Sequence, residues 1–313
     1  MQNILCLTGV TGAGKTDIAL ELSEKFPIEI ISMDSAMVFR DLNIGTDTPE
    51  ESILKKVPHH LISIISPKDY FSAGHFILEC KKKIQEIQRR NKIPLIVGGT
   101  LMYLNALILG LANLPERNQK ARNLIHQLAE KYSWQYMYEF LCFIDPLHAS
   151  KISINDHQRI ERSLEVFLIS EKNLSSFHHE QGTEHRNNFE IIAIERVNKE
   201  QHHKKISQRV HTMVKKGIVD ELEYAINKYD LSQTDASMKL IGYKQFFQYL
   251  NDEISMSDAI EKTIISTNQF AKRQMTWLRK MQFIDTRISN NQLAIQYLNE
   301  KLLKSSVINE TVC

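Results

Sequence analysis

Eight residues near the N-terminus, Gly9 to Thr16, have the types and spacing of a phosphate-binding loop. They read GVTGAGKT, follow an apolar run at 4–7, and precede a helical pattern that begins at Asp17. In that setting the glycines let backbone amides point at a phosphate, Lys15 adds a cation, and the Thr16 hydroxyl can bind magnesium. The pattern therefore predicts that this loop binds a diphosphate or a triphosphate. The expected phosphate contacts are Gly9, Thr11, Gly12, Ala13, Gly14, Lys15 and Thr16.

Two further strand candidates end in residues that could take part in chemistry. The run at 29–33 ends at Asp34, and the run at 93–97 ends at Gly98-Gly99-Thr100. Because the carboxyl ends of parallel strands meet at one sheet edge, both are expected beside the phosphate loop. Asp34 is a candidate magnesium ligand or general base, and a turn cap is the alternative. Thr100 is a candidate ligand contact, and a helix cap is equally compatible with its position.

The elements that must position these residues alternate between strand and helix over the first third of the chain. Such alternation predicts a parallel sheet with crossover helices, whereas the pattern from 115 to 170 is wholly helical. The expected strands are 3–7, 29–33, 93–97 and 189–194, with a short one near Phe283. We therefore predict an α/β fold, a P-loop parallel sheet flanked by helices and formed by 1–114 and 189–313. An all-helical insertion domain is expected at 115–188.

Composition limits the class of protein. The chain has 313 residues, 42% of them hydrophobic, and a net charge of +2, so any surface for nucleic acid must be local. The four cysteines lie far apart, and Cys6 and Cys80 fall in apolar patterns that predict reduced core thiols. His202 and His203 lack the spacing of a zinc site. No apolar run is long enough to span a membrane, so a cytoplasmic protein is expected.

Basic residues concentrate locally in three helical segments. The run 199–216 contains only one acid, Glu200, and the run 262–280 contains none but carries aromatic residues. A third segment places Arg159 and Arg162 on one helical face. Such surfaces suit a nucleic-acid backbone, and solvated charged faces are the alternative reading.

Together these stretches resemble the bacterial tRNA dimethylallyltransferase family. The resemblance covers residues 4 to about 280, and no stretch besides the phosphate loop is decisive alone. The matching stretches are 9–17, 34–40, 44–46, 58–62, 98–103, 156–162 and 271–279. The chain departs from the family pattern at Asp47-Thr48, which replace a usual Ala-Lys, and at Ser63 and Asn268.

The resemblance implies transfer of the dimethylallyl group from dimethylallyl diphosphate to the exocyclic amine of the adenosine 3′ of the anticodon. The tRNAs would be those that read codons beginning with U, bound by the anticodon stem-loop, and a monomer is expected. It further implies Mg²⁺ on Thr16 and catalytic roles for Asp34, Thr100 and Arg209. The implied tRNA contacts are Asp34, Ser35, Ala36, Met37, Thr100, Arg122, Gln158, Arg159, Ile160, Glu161, Arg162, Lys239, Gly242, Tyr243, Lys244, Lys272 and Arg273.

Three other functions are compatible with parts of the pattern. A nucleotide or small-molecule kinase would share the loop and the sheet but would not need the basic helices. A non-catalytic RNA-binding protein would not need Lys15, Thr16 and Asp34 together. An enzyme that prenylates free adenine nucleotides would share the donor site and would differ in its acceptor.

Overall fold

The chain forms two compact units in a computed structural model. Residues 3–178, 188–195 and 198–310 are described, with the side chains of 178 and 305–310 excepted. The first unit comprises Met1–Ile108 and His185–Cys313, and the second comprises Leu109–Glu184. The second unit therefore starts six residues before the predicted insertion. The predicted boundary at its other end adjoins residues 179–187, which lie outside the described residues.

A six-stranded parallel sheet organises the first unit and confirms the predicted fold class. Its spatial order is β3-β2-β4-β1-β5-β6, and every described pair of neighbours is parallel. Strands β1 and β2 are buried along their whole length, as expected for Ile- and Leu-rich strands covered on both faces. The strands are β1 (Ile4–Gly9), β2 (Ile28–Ser32), β3 (His59–His60), β4 (Ile93–Gly98), β5 (Phe189–Ile194) and β6 (Thr286–Ile288).

Helices cover the sheet and extend the first unit. They are α1 (Lys15–Ser23), α2 (Glu51–Lys56), α3 (Ala73–Arg89), α4 (Leu101–Leu109), α10 (Lys199–Lys215), α11 (Ile218–Tyr229), α12 (Tyr243–Leu250), α13 (Met256–Lys280) and α14 (Asn291–Glu310). Ser72 caps α3, because its hydroxyl accepts from the His75 amide. Cys6 and Cys80 are buried free thiols, as predicted. Burial raises the pKa of both thiols above the ordinary value.

Three elements differ from the sequence expectation. Strand β3 was not predicted, because two residues are too few to show an alternating pattern. The last strand begins at Thr286, after the predicted position near Phe283. Helix α1 begins at Lys15 instead of Asp17, so the phosphate loop leads directly into its first turn.

The second unit is all-helical, with α5 (Gln119–Tyr132), α6 (Trp134–Ile144), α7 (Pro146–Ala149), α8 (His157–Ser170) and α9 (Leu174–His178). Its apolar core includes Ile125, Leu141 and Ile160. Beside that core the Glu165 carboxylate is wholly buried and accepts from the Arg122 guanidinium at 2.8 and 3.0 Å. Arg162 adds a third charged hydrogen bond at 2.6 Å.

We expect Glu165→Gln to destabilise the second unit. Burial alone would raise the pKa of Glu165, but hydrogen bonds from Arg122, the Asn118 amide and Arg162 outweigh burial and lower it. The stabilisation is therefore complete above the ordinary carboxyl pKa and is lost as pH falls through the lowered one. Breaking a buried pair on one side typically costs about 3 kcal/mol. Urea unfolding at pH 7 measures the loss, and Glu130→Gln, at an exposed position, is the control.

Candidate active site

Three neighbouring strands end at one edge of the sheet and bring the predicted chemical residues together. β4 lies between β2 and β1, and Thr8 of β1 is in register with Gly98 of β4. Gly98 packs directly against the Met33 carbonyl, where a Cβ atom would collide with backbone. The absence of a side chain at Gly98 therefore lets the turn after β4 approach the end of β2, next to Asp34.

The phosphate loop has the backbone conformation that its glycines predict. Gly12 and Gly14 have φ of 78° and 84°, a region that favours glycine, and Gly14 caps the start of α1. No side chain caps this helix. The first amides of α1, at Lys15 and Thr16, have no intrahelical acceptor, and the positive end of the helix dipole lies at the same place. This arrangement is suited to binding an anion.

Lys15 holds the two ends of the loop together. Its Nζ donates to the carbonyl oxygens of Gly9 at 3.0 Å and Val10 at 2.9 Å. The pKa of Lys15 is lowered to about 8, mainly by burial, with an opposing effect of Asp34 and a smaller lowering by Arg209. An ammonium group has three N–H donors, so one is left for a ligand.

The Thr11 amide has a partner within the protein, and the contact of Thr11 with phosphate stays a prediction. Thr11 was expected to contact phosphate, but its N–H donates to Gln274 Oε1 at 2.8 Å. The Ala13 N–H likewise donates to the Val10 carbonyl at 3.2 Å. The backbone donors left to a phosphate are therefore fewer than the sequence suggested.

Asp34 follows β2 and is held in a tight turn. Its Oδ1 accepts from the amides of Ala36 at 2.8 Å and Met37 at 3.4 Å. Its Oδ2 accepts no hydrogen bond from the residues that the structure describes. One oxygen thus fixes the orientation of the carboxylate and the other stays available to a substrate.

Thr100 supports the same turn from the end of β4. Its Oγ1 accepts from the Ser35 amide at 3.0 Å and donates to Ser35 Oγ at 3.3 Å, while its own amide donates to the Met33 carbonyl. The sequence predicts either a ligand contact or a helix cap for Thr100. In this structure it fixes the backbone next to Asp34.

A cavity of about 380 Å³ joins these groups. Lys15, Thr16, Asp34 and Arg209 line it together with apolar side chains. The apolar lining consists of Ala19, Ile30, Met37, Pro49, Ile62 and Val97. The cavity can therefore accept a ligand with an anionic head and a short hydrocarbon tail.

Arg209 lies on α10 and already has an anionic partner. Its Nη1 lies 3.4 Å from Oδ2 of Asp47, and both side chains also line a larger neighbouring cavity of about 820 Å³. Asp47 is one of the departures from the family pattern. This carboxylate therefore competes with an incoming anion for Arg209.

Comparison with known proteins assigns the chain to a family. The family model described as IPP transferase matches residues 37–281. The chain belongs to the IPP transferase family. Because the match spans most of the chain, the kinase alternative is set aside for this IPP transferase.

Named relatives agree with that assignment. This IPP transferase is 39% identical to a tRNA dimethylallyltransferase of Legionella pneumophila strain Corby over 88% of both chains. It is 40% identical to one of Neisseria meningitidis serogroup A, again over 88% of both.

Solved structures share the fold. A tRNA isopentenylpyrophosphate transferase from Bacillus halodurans superposes with a TM-score of 0.68 at 26% identity, covering 99% of this chain and 100% of that one. A eukaryotic dimethylallyltransferase acting on tRNA gives a TM-score of 0.79 at 24% identity, covering 97% and 80%.

Several residues expected to contact tRNA are buried within their own unit in this IPP transferase, and their contact with RNA stays a prediction. Tyr243 has no exposed surface, accepts from the Gly45 amide and donates to Glu221, so it supports the 43–46 loop. Gly242 is buried beside it. Ile160 is wholly inside the core of the second unit, and Glu161 is buried against Arg122 and His126.

Other predicted tRNA contacts lie on the surface of their own unit. Arg159 pairs with Asp156 at 3.2 Å, and Arg162 and Arg122 are bound to Glu165. In the first unit, the Arg273 guanidinium lies 5.9 Å from the centre of the Phe270 ring. The exposed residues of the predicted set are Gln158, Arg159, Lys239, Lys244, Lys272 and Arg273. The half-exposed ones are Asp34, Ser35, Ala36, Met37, Thr100, Arg122 and Arg162. For these residues a contact with RNA stays a prediction.

Gln274 and His202 contact the backbone of the phosphate loop, and the sequence did not predict this role for either residue. Gln274 occupies the buried face of α13 shared by Ala271 and Leu278, and His202 the buried face of α10 shared by Ile206. A polar side chain on an otherwise apolar helical stripe was the available signal, because buried polar groups require partners.

The described part of this IPP transferase shows neither a cluster of metal-ligating side chains nor a membrane-spanning helix. Within residues 3–178, 188–195 and 198–310, no three or more His, Cys, Asp or Glu side chains are grouped so that they could hold a metal ion. Over the same ranges, no helix combines the length and apolar composition needed to cross a bilayer.

Proposed function

We propose that this chain transfers the dimethylallyl group from dimethylallyl diphosphate to the exocyclic amine of the adenosine 3′ of the anticodon in tRNAs reading codons that begin with U. The observation that carries the proposal is one cavity lined by Lys15, Arg209 and Asp34 together with apolar side chains. The names of the bacterial relatives support the same donor and acceptor. The expectations of a monomer and of a cytoplasmic location stay predictions.

The reaction requires a base for the acceptor amine and groups that stabilise the leaving diphosphate. The adenosine nitrogen attacks the allylic carbon, a nitrogen–carbon bond forms, and the carbon–oxygen bond to diphosphate breaks. Asp34 Oδ2 takes the proton that the amine loses, since an aromatic amine is a poor nucleophile while it keeps that proton. Lys15, Arg209 and the first amides of α1 stabilise the charge that builds on the leaving diphosphate.

The residues of the cavity also fit a magnesium ion shared with the diphosphate. Thr16 is exposed at the start of α1, and Asp34 and Asp17 line the same cavity. Mg²⁺ typically takes one or two protein oxygens and completes its shell with phosphate oxygens and water. When bound, the ion would neutralise charge on the diphosphate, held by Thr16.

The accessible basic residues support tRNA as the acceptor. In the first unit, exposed Lys272 and Arg273 on α13 provide cations beside Phe270, on which a base can stack. In the second unit, Arg159 is exposed on α8. A base of the anticodon loop has no paired strand to leave, so its extrusion into a cavity costs least there.

The test is transfer of label to RNA. Purified protein is incubated with Mg²⁺, labelled dimethylallyl diphosphate and an unmodified tRNA transcript that reads a UNN codon. We expect label in the RNA and none when AMP replaces tRNA. Label in AMP alone would select the free-nucleotide enzyme, and no label in either acceptor would reject the proposal.

A further inference from the structure

Gln274 joins the phosphate loop to the turn after β4. Its Oε1 accepts from the Thr11 amide at 2.8 Å, and its Nε2 donates to the Gly99 carbonyl at 2.7 Å. The partners fix the orientation of the side-chain amide, because an N–H can only donate and a carbonyl can only accept. The side chain is 4% exposed. Only a residue that donates at one end and accepts at the other satisfies both contacts.

His202 holds the same loop residue from a second helix. Its Nε2 lies 2.7 Å from the Thr11 carbonyl oxygen. Since a carbonyl only accepts, this nitrogen must carry the proton. The Gly12 backbone lies against the ring, where an added Cβ would be 3.4 Å from Nε2. Both backbone groups of Thr11 are therefore held, the N–H by α13 and the C=O by α10.

Because peptide bonds are planar, these two contacts also fix the directions of the Val10 carbonyl and the Gly12 N–H. In a trans peptide the C=O and the N–H point in opposite directions. Gln274 at the Thr11 N–H therefore directs the Val10 carbonyl to the other side, where it accepts from Lys15. In the same way, His202 at the Thr11 carbonyl directs the Gly12 N–H away from α10.

We propose that Gln274 and His202 are positioning residues that hold the phosphate loop in the conformation that binds the diphosphate of the prenyl donor. The inference rests on the proposed function for the identity of that ligand. Without the two contacts, either peptide can rotate and turn a carbonyl oxygen toward the diphosphate, or release Lys15 from Val10. Neither residue touches the reacting atoms.

The experiment compares matched variants at buried and exposed positions of the same helices. Gln274→Met can neither accept from Thr11 nor donate to Gly99. Gln274→Glu still accepts from Thr11 and loses the donor to Gly99 when its carboxyl group is ionised. His202→Leu removes the donor, and His202→Gln restores one. Gln269→Glu and His203→Leu are the controls, because both positions are exposed. The readouts are kcat and KM for dimethylallyl diphosphate, the Kd of inorganic diphosphate, the Kd of tRNA and the ligand-free melting temperature.

We expect both Gln274 variants to lose about 10–100-fold in kcat/KM for the donor, since small misplacements of binding groups have effects of this size. Inorganic diphosphate should bind correspondingly more weakly, while the Kd of tRNA stays unchanged. His202→Leu should lose about tenfold and His202→Gln should recover most of it.

Unchanged diphosphate affinity in folded Gln274→Met and His202→Leu would overturn the inference. So would equal losses in tRNA affinity, or failure of His202→Gln to recover, because either result indicates a general structural role. If the wild-type protein transfers no label, the proposed function fails instead. The inorganic diphosphate measurements then still decide whether the two side chains shape the loop.

Discussion

Asp34→Asn should lower kcat for prenyl transfer by about 10²–10⁴-fold, the usual contribution of a positioned general base. The change is isosteric, and Asn Oδ1 can still accept from the amides of Ala36 and Met37, so the turn after β2 should persist. What is lost is the carboxylate oxygen that no described group occupies. Single-turnover assays with saturating tRNA measure the effect on the chemical step directly.

Two controls test whether the effect is specific to Asp34: the affinity of the variant for tRNA, and a substitution at a distant carboxylate. The Kd of tRNA for Asp34→Asn should stay within about twofold of wild type, because removing a proton acceptor affects the transition state more than the ground state. Asp252→Asn, at an exposed position with a left-handed backbone that Asn tolerates, should keep full activity. A near-normal kcat with greatly weakened tRNA binding would instead make Asp34 a binding residue.

Lys15→Met should reduce kcat/KM for dimethylallyl diphosphate by about 10²–10³-fold, comparable to the loss of one preorganised donor to a developing anion. Two effects combine in this variant. The cation beside the diphosphate disappears, and the carbonyl oxygens of Gly9 and Val10 lose their shared donor. Steady-state kinetics over a range of donor concentrations, at fixed tRNA, measure the change.

Lys25→Met is the matched control, because Lys25 is exposed just after α1 and makes no described ion pair. It should leave the kinetics unchanged. Binding of inorganic diphosphate by Lys15→Met should weaken in parallel with kcat/KM. Normal diphosphate affinity in that variant would contradict the assignment of the loop as the binding site for the leaving group.

The part of the site that is local in sequence could be predicted. The phosphate loop is such a part, because Gly12, Gly14 and Lys15 act through the backbone of their own segment. The placement of Asp34 beside it also followed, since the ends of parallel strands meet at one edge of a sheet.

The supporting contacts could not be predicted, because they join residues far apart in the chain. Gln274 and Thr11 are separated by 263 positions, and nothing in the local pattern of α13 points to the loop. The family resemblance names residues far apart in the chain but does not say how each of them packs. It implies tRNA contacts for Tyr243 and Ile160, and the structure shows that both side chains are buried within their own unit.

Asp47 also affects the release of diphosphate in the proposed reaction. When diphosphate leaves the cavity, Arg209 loses an anionic partner, and the Asp47 carboxylate is attached to the protein within 3.4 Å of it. Because such an intramolecular partner acts at a high effective concentration, we expect it to speed the departure of the proposed product and to weaken inhibition by free diphosphate. We expect an IPP transferase with alanine at this position, which lacks that competitor, to release its by-product more slowly.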